Sequence, residues 1–96
     1  MDLAEFHRSV EKDSPPAALS PPLRALWHAV RGDWESAHTC AQEIPGGDGA
    51  WIHAHLHREE GDLGNARYWY HAADRAMPGD SIAAERARLI EVFLGR

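Results

Sequence analysis

Apolar residues recur at intervals of three and four along most of the chain, whereas strand-like alternation of Val, Ile, Thr and aromatic residues is missing. This pattern, with its many Ala, Leu, Arg and Glu residues, predicts an all-α protein. The segment 45–49, which reads Pro-Gly-Gly-Asp-Gly, is predicted to be a loop. Capping and breaking residues set the expected bounds of six helices, at about 2–11, 21–31, 34–44, 50–60, 63–77 and 81–95.

The chain contains an internal repeat. A shift of 29 residues places Ala25 on Ala54, and the same shift superposes Gly-Asp pairs at 32–33 and 61–62. Glycine closes one helix and aspartate caps the next, so each pair is expected to form the corner of a helical hairpin. The sequence therefore predicts one domain, residues 1–96, with stacked antiparallel hairpins at about 21–45 and 50–78. An N-terminal helix and a capping C-terminal helix at about 81–95 are predicted to flank them.

The second copy carries small, glycine, aromatic and proline residues at characteristic positions: Ala54, Gly61, Ala66, Tyr70, Ala73 and Pro78. This spacing resembles that of the tetratricopeptide-like family of helical-hairpin repeats. The segment 24–78 also resembles small uncharacterised bacterial proteins, a similarity that implies no known activity. The tetratricopeptide-like resemblance implies a concave groove, lined by the first helix of each hairpin, that binds extended peptides.

Carried onto the second copy, the resemblance implies that the groove is lined by Trp51, His55, Arg58 and Glu59. Trp51, His55 and Arg58 also lie at i, i+4 and i+7, which is one continuous helical stripe. An exposed tryptophan beside an arginine is typical of a peptide or carboxylate contact surface. We therefore predict a non-enzymatic module that binds a peptide or protein partner, or a second copy of itself as a homodimer. Alternatively, the first or last helix of the same chain fills the groove.

Histidines suggest a different class of function. His53 and His57 are four residues apart and share a helix face, and a pair at this spacing can chelate a transition metal. His28 corresponds to His57 in the first copy. The alternative hypothesis is thus a small metal- or ligand-binding protein, or an accessory enzyme, that uses His28, His53 and His57. The simpler interpretation is that these rings pack inside the hairpins, and it predicts no cofactor.

Composition narrows these options. The chain has 96 residues and a net charge of -5, so it holds one small core and offers no basic face for nucleic acid or an anionic membrane. Its single cysteine, Cys40, cannot form a disulfide within the chain, which favours a cytoplasmic protein. No apolar run is long enough for a signal peptide or a membrane span.

Three successive aromatic residues occupy positions 68–70. At 100° per residue on a helix, they cannot all face one core. We expect Trp69 and Tyr70 to be core residues and Tyr68 to be exposed.

Overall fold

The computed structural model of the chain describes residues 1–96 and contains six α-helices and no strand, which confirms the all-α prediction. The longest helix has 15 residues, and none is both long and apolar enough to cross a membrane. The helices are α1 (Leu3–Ser9), α2 (Pro21–Val30), α3 (Trp34–Gln42), α4 (Gly46–Glu60), α5 (Leu63–Ala72) and α6 (Ile82–Leu94).

Both predicted hairpin corners are confirmed. Gly32 and Gly61 have φ angles of 78° and 88°, in the left-handed region that glycine tolerates best. Asp33 then accepts a hydrogen bond from the Ser36 backbone N–H at 3.1 Å. Asp62 caps α5 in the same way. These corners join α2 to α3 and α4 to α5 with connections of three and two residues, so each pair forms a helical hairpin.

Two helix bounds differ from the prediction. Residues 46–49, expected to be a loop, form the first turn of α4. Gly49 is buried there, with its backbone so close to Ile44 that glycine is required. The fifth helix was predicted to reach Met77 but ends at Ala72, because Asp74 adopts a left-handed φ of 56° that no α-helix accommodates.

The last helix lies where the sequence predicted an open groove. α6 packs against both α2 and α4, and α1 also contacts α6. The core between these helices contains Leu26, Trp27, Ile52, Leu56, Leu89 and Ile90, all almost fully buried. Tyr70 is buried and Trp69 packs against the core, whereas Tyr68 is 65% exposed, as expected. The fold therefore places α4 in contact with four other helices, among them α6 and α3.

Candidate functional site

The residues predicted to line a peptide groove are not open to solvent. Trp51 is only 6% exposed, its ring packs against Phe93 of α6, and the Arg75 guanidinium lies 3.5 Å from its centroid. His55 is fully buried, and Arg58 and Glu59 are both partly buried. The expectation that these four side chains form an exposed surface is wrong, because α6 covers them.

A charged network joins this face of α4 to α6. Glu85 of α6 is 1% exposed, and its Oε1 atom lies 2.8 Å from Nδ1 of His55. Arg58 donates to the same oxygen at 3.2 Å, and the Tyr70 hydroxyl donates to Oε2 at 2.5 Å. Arg86 donates from Nε to Nε2 of His55 at 3.2 Å, so Nδ1 of this histidine carries the proton and donates to Glu85.

The arginines at the edge of the network also have further hydrogen-bond partners within the chain. Arg86 also pairs with Glu59 at 2.6 Å, and Arg58 donates to the backbone carbonyl of Asp80 before α6. No buried side-chain polar atom in the structure lacks a hydrogen-bond partner. Because every member is satisfied within the chain, this network holds α6 in place and offers no free ligand-binding group.

Two pKa values reflect the burial of this network. Burial alone would raise the pKa of Glu85, but hydrogen bonds from His55, Tyr70 and Arg58 outweigh it and lower the pKa below its usual value. Burial, together with the hydrogen bond to the Glu85 carboxylate, raises the pKa of Tyr70 above its usual value of 10.0. Glu85 therefore stays ionised while Tyr70 keeps its proton.

This raised pKa makes the stability of the protein sensitive to alkaline pH. Above pH 10.0 the tyrosine of the unfolded chain loses its proton, whereas folded Tyr70 retains it. The stabilisation is thus complete below pH 10 and is lost as the pH rises above it. We expect the free energy of unfolding, measured in urea from pH 8 to 11, to fall above pH 10 in wild type and to fall less in Tyr70→Phe.

The chain supplies a matched control for this measurement, because its only other tyrosine is the exposed Tyr68. Tyr68→Phe is expected to keep the full alkaline loss of stability. In that variant, tyrosinate absorbance should appear only as the protein unfolds. Identical pH profiles for the Tyr68→Phe and Tyr70→Phe variants would rule out this role of the Tyr70 hydroxyl.

The face of α4 toward α3 carries a different arrangement, three histidines that we call the histidine cluster: His38, His53 and His57. Their ligand nitrogens all lie within 4.8 Å of one another. The Nε2 atoms of His38 and His53 are 2.8 Å apart, so one ring donates to the other. His53 and His57 are both 6% exposed, whereas His38 reaches the surface in part. The cluster thus combines buried rings with one route to solvent.

Aromatic stacking and one carboxylate orient these rings. Trp34 stacks on His38 at 4.7 Å between ring centroids, and Trp69 stacks on His53 at 4.0 Å. Glu60 lies 2.7 Å from Nδ1 of His57. A carboxylate can only accept, so Nδ1 of His57 carries a proton and its Nε2 atom is left with a free lone pair in the neutral ring.

The electrostatics of the cluster favour neutral rings. Burial, and then the proximity of His38 and His57, lowers the pKa of His53 to about 4. Burial, followed by the charge of His57, also lowers the pKa of His38 below its usual value. These two rings are neutral at pH 7, which is the form of imidazole that binds a metal.

One of the three histidines predicted from the sequence is not part of the cluster, and another histidine is present instead. His53 and His57 do share a face, as their spacing predicted, but His28 lies outside the cluster, with its ring edge against Trp27 at 5.2 Å. His38 of α3 takes its place. The repeat alignment pointed to His28 because it matches His57, whereas the position of His38 depends on how α3 packs against α4.

The fold and the site together define a small all-helical protein with three convergent imidazoles at the junction of two helical hairpins. A scan against protein-family models finds no match, and searches of curated proteins and of solved structures find none either. The residues of the site are therefore what indicates a function.

Proposed function

We propose that this chain is a small helical metalloprotein that binds one first-row transition-metal cation through His38, His53 and His57. The observation that carries the proposal is the convergence of three imidazole rings whose ligand nitrogens lie within 4.8 Å of one another. Imidazole nitrogen suits Zn²⁺, Cu²⁺ and Ni²⁺, whereas Mg²⁺ and Ca²⁺ prefer oxygen ligands. The donor set thus favours the transition metals.

The distances suit a metal ion after small movements of the rings. Two nitrogens bound to one tetrahedral zinc lie about 3.3 Å apart, given Zn–N bonds of about 2.0–2.1 Å. The His38 and His53 nitrogens, at 2.8 Å, need to separate slightly, and any pair near the 4.8 Å upper bound needs to approach. Small rotations of the imidazole rings are the movements that such a site requires.

Glu60 adds independent support. A metal-bound histidine commonly donates its second ring N–H to a carboxylate, which fixes the tautomer and the orientation of the ring. His57 makes this contact with Glu60 at 2.7 Å through Nδ1. The arrangement leaves Nε2 of His57 as the ligand atom.

Zinc is expected to bind metal-free protein with one ion per chain and to raise its melting temperature. At free zinc 100-fold above the dissociation constant, binding to the folded state alone adds about 2.7 kcal/mol to the free energy of unfolding. Isothermal titration calorimetry gives the stoichiometry, and thermal unfolding followed by circular dichroism, with and without a chelator, gives the stabilisation.

Two kinds of variant locate the site. His53→Gln and His38→Gln are expected to abolish the zinc-dependent rise in melting temperature, whereas His28→Gln and His7→Gln, which change histidines outside the cluster, should keep it. Magnesium should have no effect. The proposal fails if zinc does not change the melting temperature of the wild type, or if zinc still raises the melting temperature of both cluster variants.

The partner predicted from the sequence remains a prediction. Trp51 and His55 are buried, so a peptide, a protein or a second copy of the chain would reach them only if the residues that cover them moved, whereas Arg58 and Glu59 remain partly exposed. A cytoplasmic location, expected from the single cysteine, belongs to the same set of proposals.

A further inference from the structure

The histidine cluster has three ligands from this chain and no fourth. The nearest carboxylates are those of Glu60 and Asp62, which lie beside His57. Glu60 lies 2.7 Å from Nδ1 of His57, and Asp62 caps α5 by accepting from the Asn65 backbone N–H at 3.2 Å. One oxygen of each carboxylate is therefore already engaged, and neither carboxylate belongs to the group of three convergent nitrogens.

The two tryptophans that flank the cluster cannot coordinate a cation. Trp34 and Trp69 cover the faces of His38 and His53, and an indole N–H is a donor only. The Trp34 indole is committed to the backbone carbonyl of Leu56 at 2.7 Å. The two indoles cover ring faces of the cluster, while the partly exposed His38 leaves it accessible from solvent.

The charge of the site determines which kind of ligand would bind at the fourth coordination position of the metal. Three neutral imidazoles leave the full double charge of a divalent cation, and Glu60 is the nearest anionic side chain in contact with the cluster. Sites with three protein ligands and one solvent position are typical of exchangeable or catalytic zinc, whereas structural zinc usually has four protein ligands. The net positive charge at such a position favours an anion over a neutral ligand.

We infer that the bound cation keeps one coordination position open to solvent and that this position takes a small anion, such as hydroxide, azide or a simple carboxylate. The inference rests on the proposed function, since it requires a metal in the histidine cluster. It extends that function from holding a cation to presenting that cation to a second, exchangeable ligand.

Cobalt(II) makes the open position visible, because its absorption in the visible range depends on the number and type of its ligands. Metal-free protein is loaded with one equivalent of Co²⁺ and titrated with sodium azide at constant ionic strength. We expect a saturable spectral change that fits one azide per cobalt. Sodium perchlorate, which coordinates weakly, should leave the spectrum unchanged.

Variants and outcomes separate this inference from the proposed function. His28→Gln should keep both the cobalt spectrum and the azide response, whereas His53→Gln should lose both. If cobalt binds with the expected stoichiometry but azide leaves its spectrum unchanged, the open position is refuted while the metal site stands. If cobalt does not bind at all, both proposals fall.

Discussion

Replacing Glu85 with alanine is expected to lower the free energy of unfolding by about 3–5 kcal/mol, the usual loss when one partner of a buried ion pair is removed. His55, Arg58 and Tyr70 all donate to this carboxylate, and Glu85 and His55 are almost completely buried. The variant leaves these donors without their acceptor beneath α6. Urea denaturation followed by circular dichroism measures the loss.

Two variants control for this effect. Glu91→Ala changes an exposed glutamate of the same helix and should alter stability by no more than about 0.5 kcal/mol. Glu85→Gln keeps the size of the side chain and one oxygen acceptor, so it should fall between wild type and Glu85→Ala. A Glu85→Ala protein as stable as Glu91→Ala would show that α6 does not depend on the buried carboxylate.

Gly49→Ala is expected to destabilise the protein by about 3 kcal/mol, at the upper end of the usual range for overpacking. A Cβ atom at Gly49 would lie 1.9 Å from the carbonyl oxygen of Ile44 and 3.2 Å from that of Ala41. Both atoms belong to the backbone, so no side chain can rotate away to make room. The start of α4 and the end of α3 would have to separate.

Gly47→Ala is the matched control, because it lies in the same turn of α4 and a Cβ atom there meets nothing within 4 Å. Alanine favours a helix over glycine by up to about 1 kcal/mol, so this variant should equal or exceed wild type in stability. Urea denaturation of the two variants side by side makes the comparison. Equal stabilities would contradict the close approach at Gly49.

Local rules were enough to predict most of the helical framework. The Gly-Asp pairs at 32–33 and 61–62 encode their corners directly, since glycine adopts the left-handed φ and aspartate caps the helix that follows. Helix ends set by tertiary contacts were not predictable in this way. The composition of the glycine-rich run 46–49 favours a loop, yet the run forms the first turn of α4, in which Gly49 packs closely against Ile44.

Two of the three histidines of the cluster could be predicted from the sequence, because their proximity depends only on local helix geometry. His53 and His57 lie on one helix, so their spacing alone places them on a shared face. His38 lies 15 residues before His53, on a different helix, and only the packing of α3 against α4 brings their nitrogens together. No periodic signal in the sequence distinguishes His38 from His28 as the third member.

The position of Glu85 in the sequence indicates that the last helix covers the predicted groove. Glu85 lies four residues before Leu89 and eight before Phe93, so it shares the buried face of α6 with them. A lone carboxylate at such a position needs buried donors, and the stripe containing His55 and Arg58 supplies them. This complementarity favoured the last helix as the occupant of the groove.

The histidine cluster draws on both halves of the molecule, with His38 in the first hairpin and His53 and His57 in the second. The stability of stacked helical units is approximately a sum of what each unit contributes alone and what couples it to its neighbour. The binding free energy of a cation held by this cluster would strengthen the interaction between the two hairpins and would not stabilise either hairpin by itself. Metal occupancy would therefore control how cooperatively the halves unfold, so that hairpins able to open separately without the ion would unfold together with it.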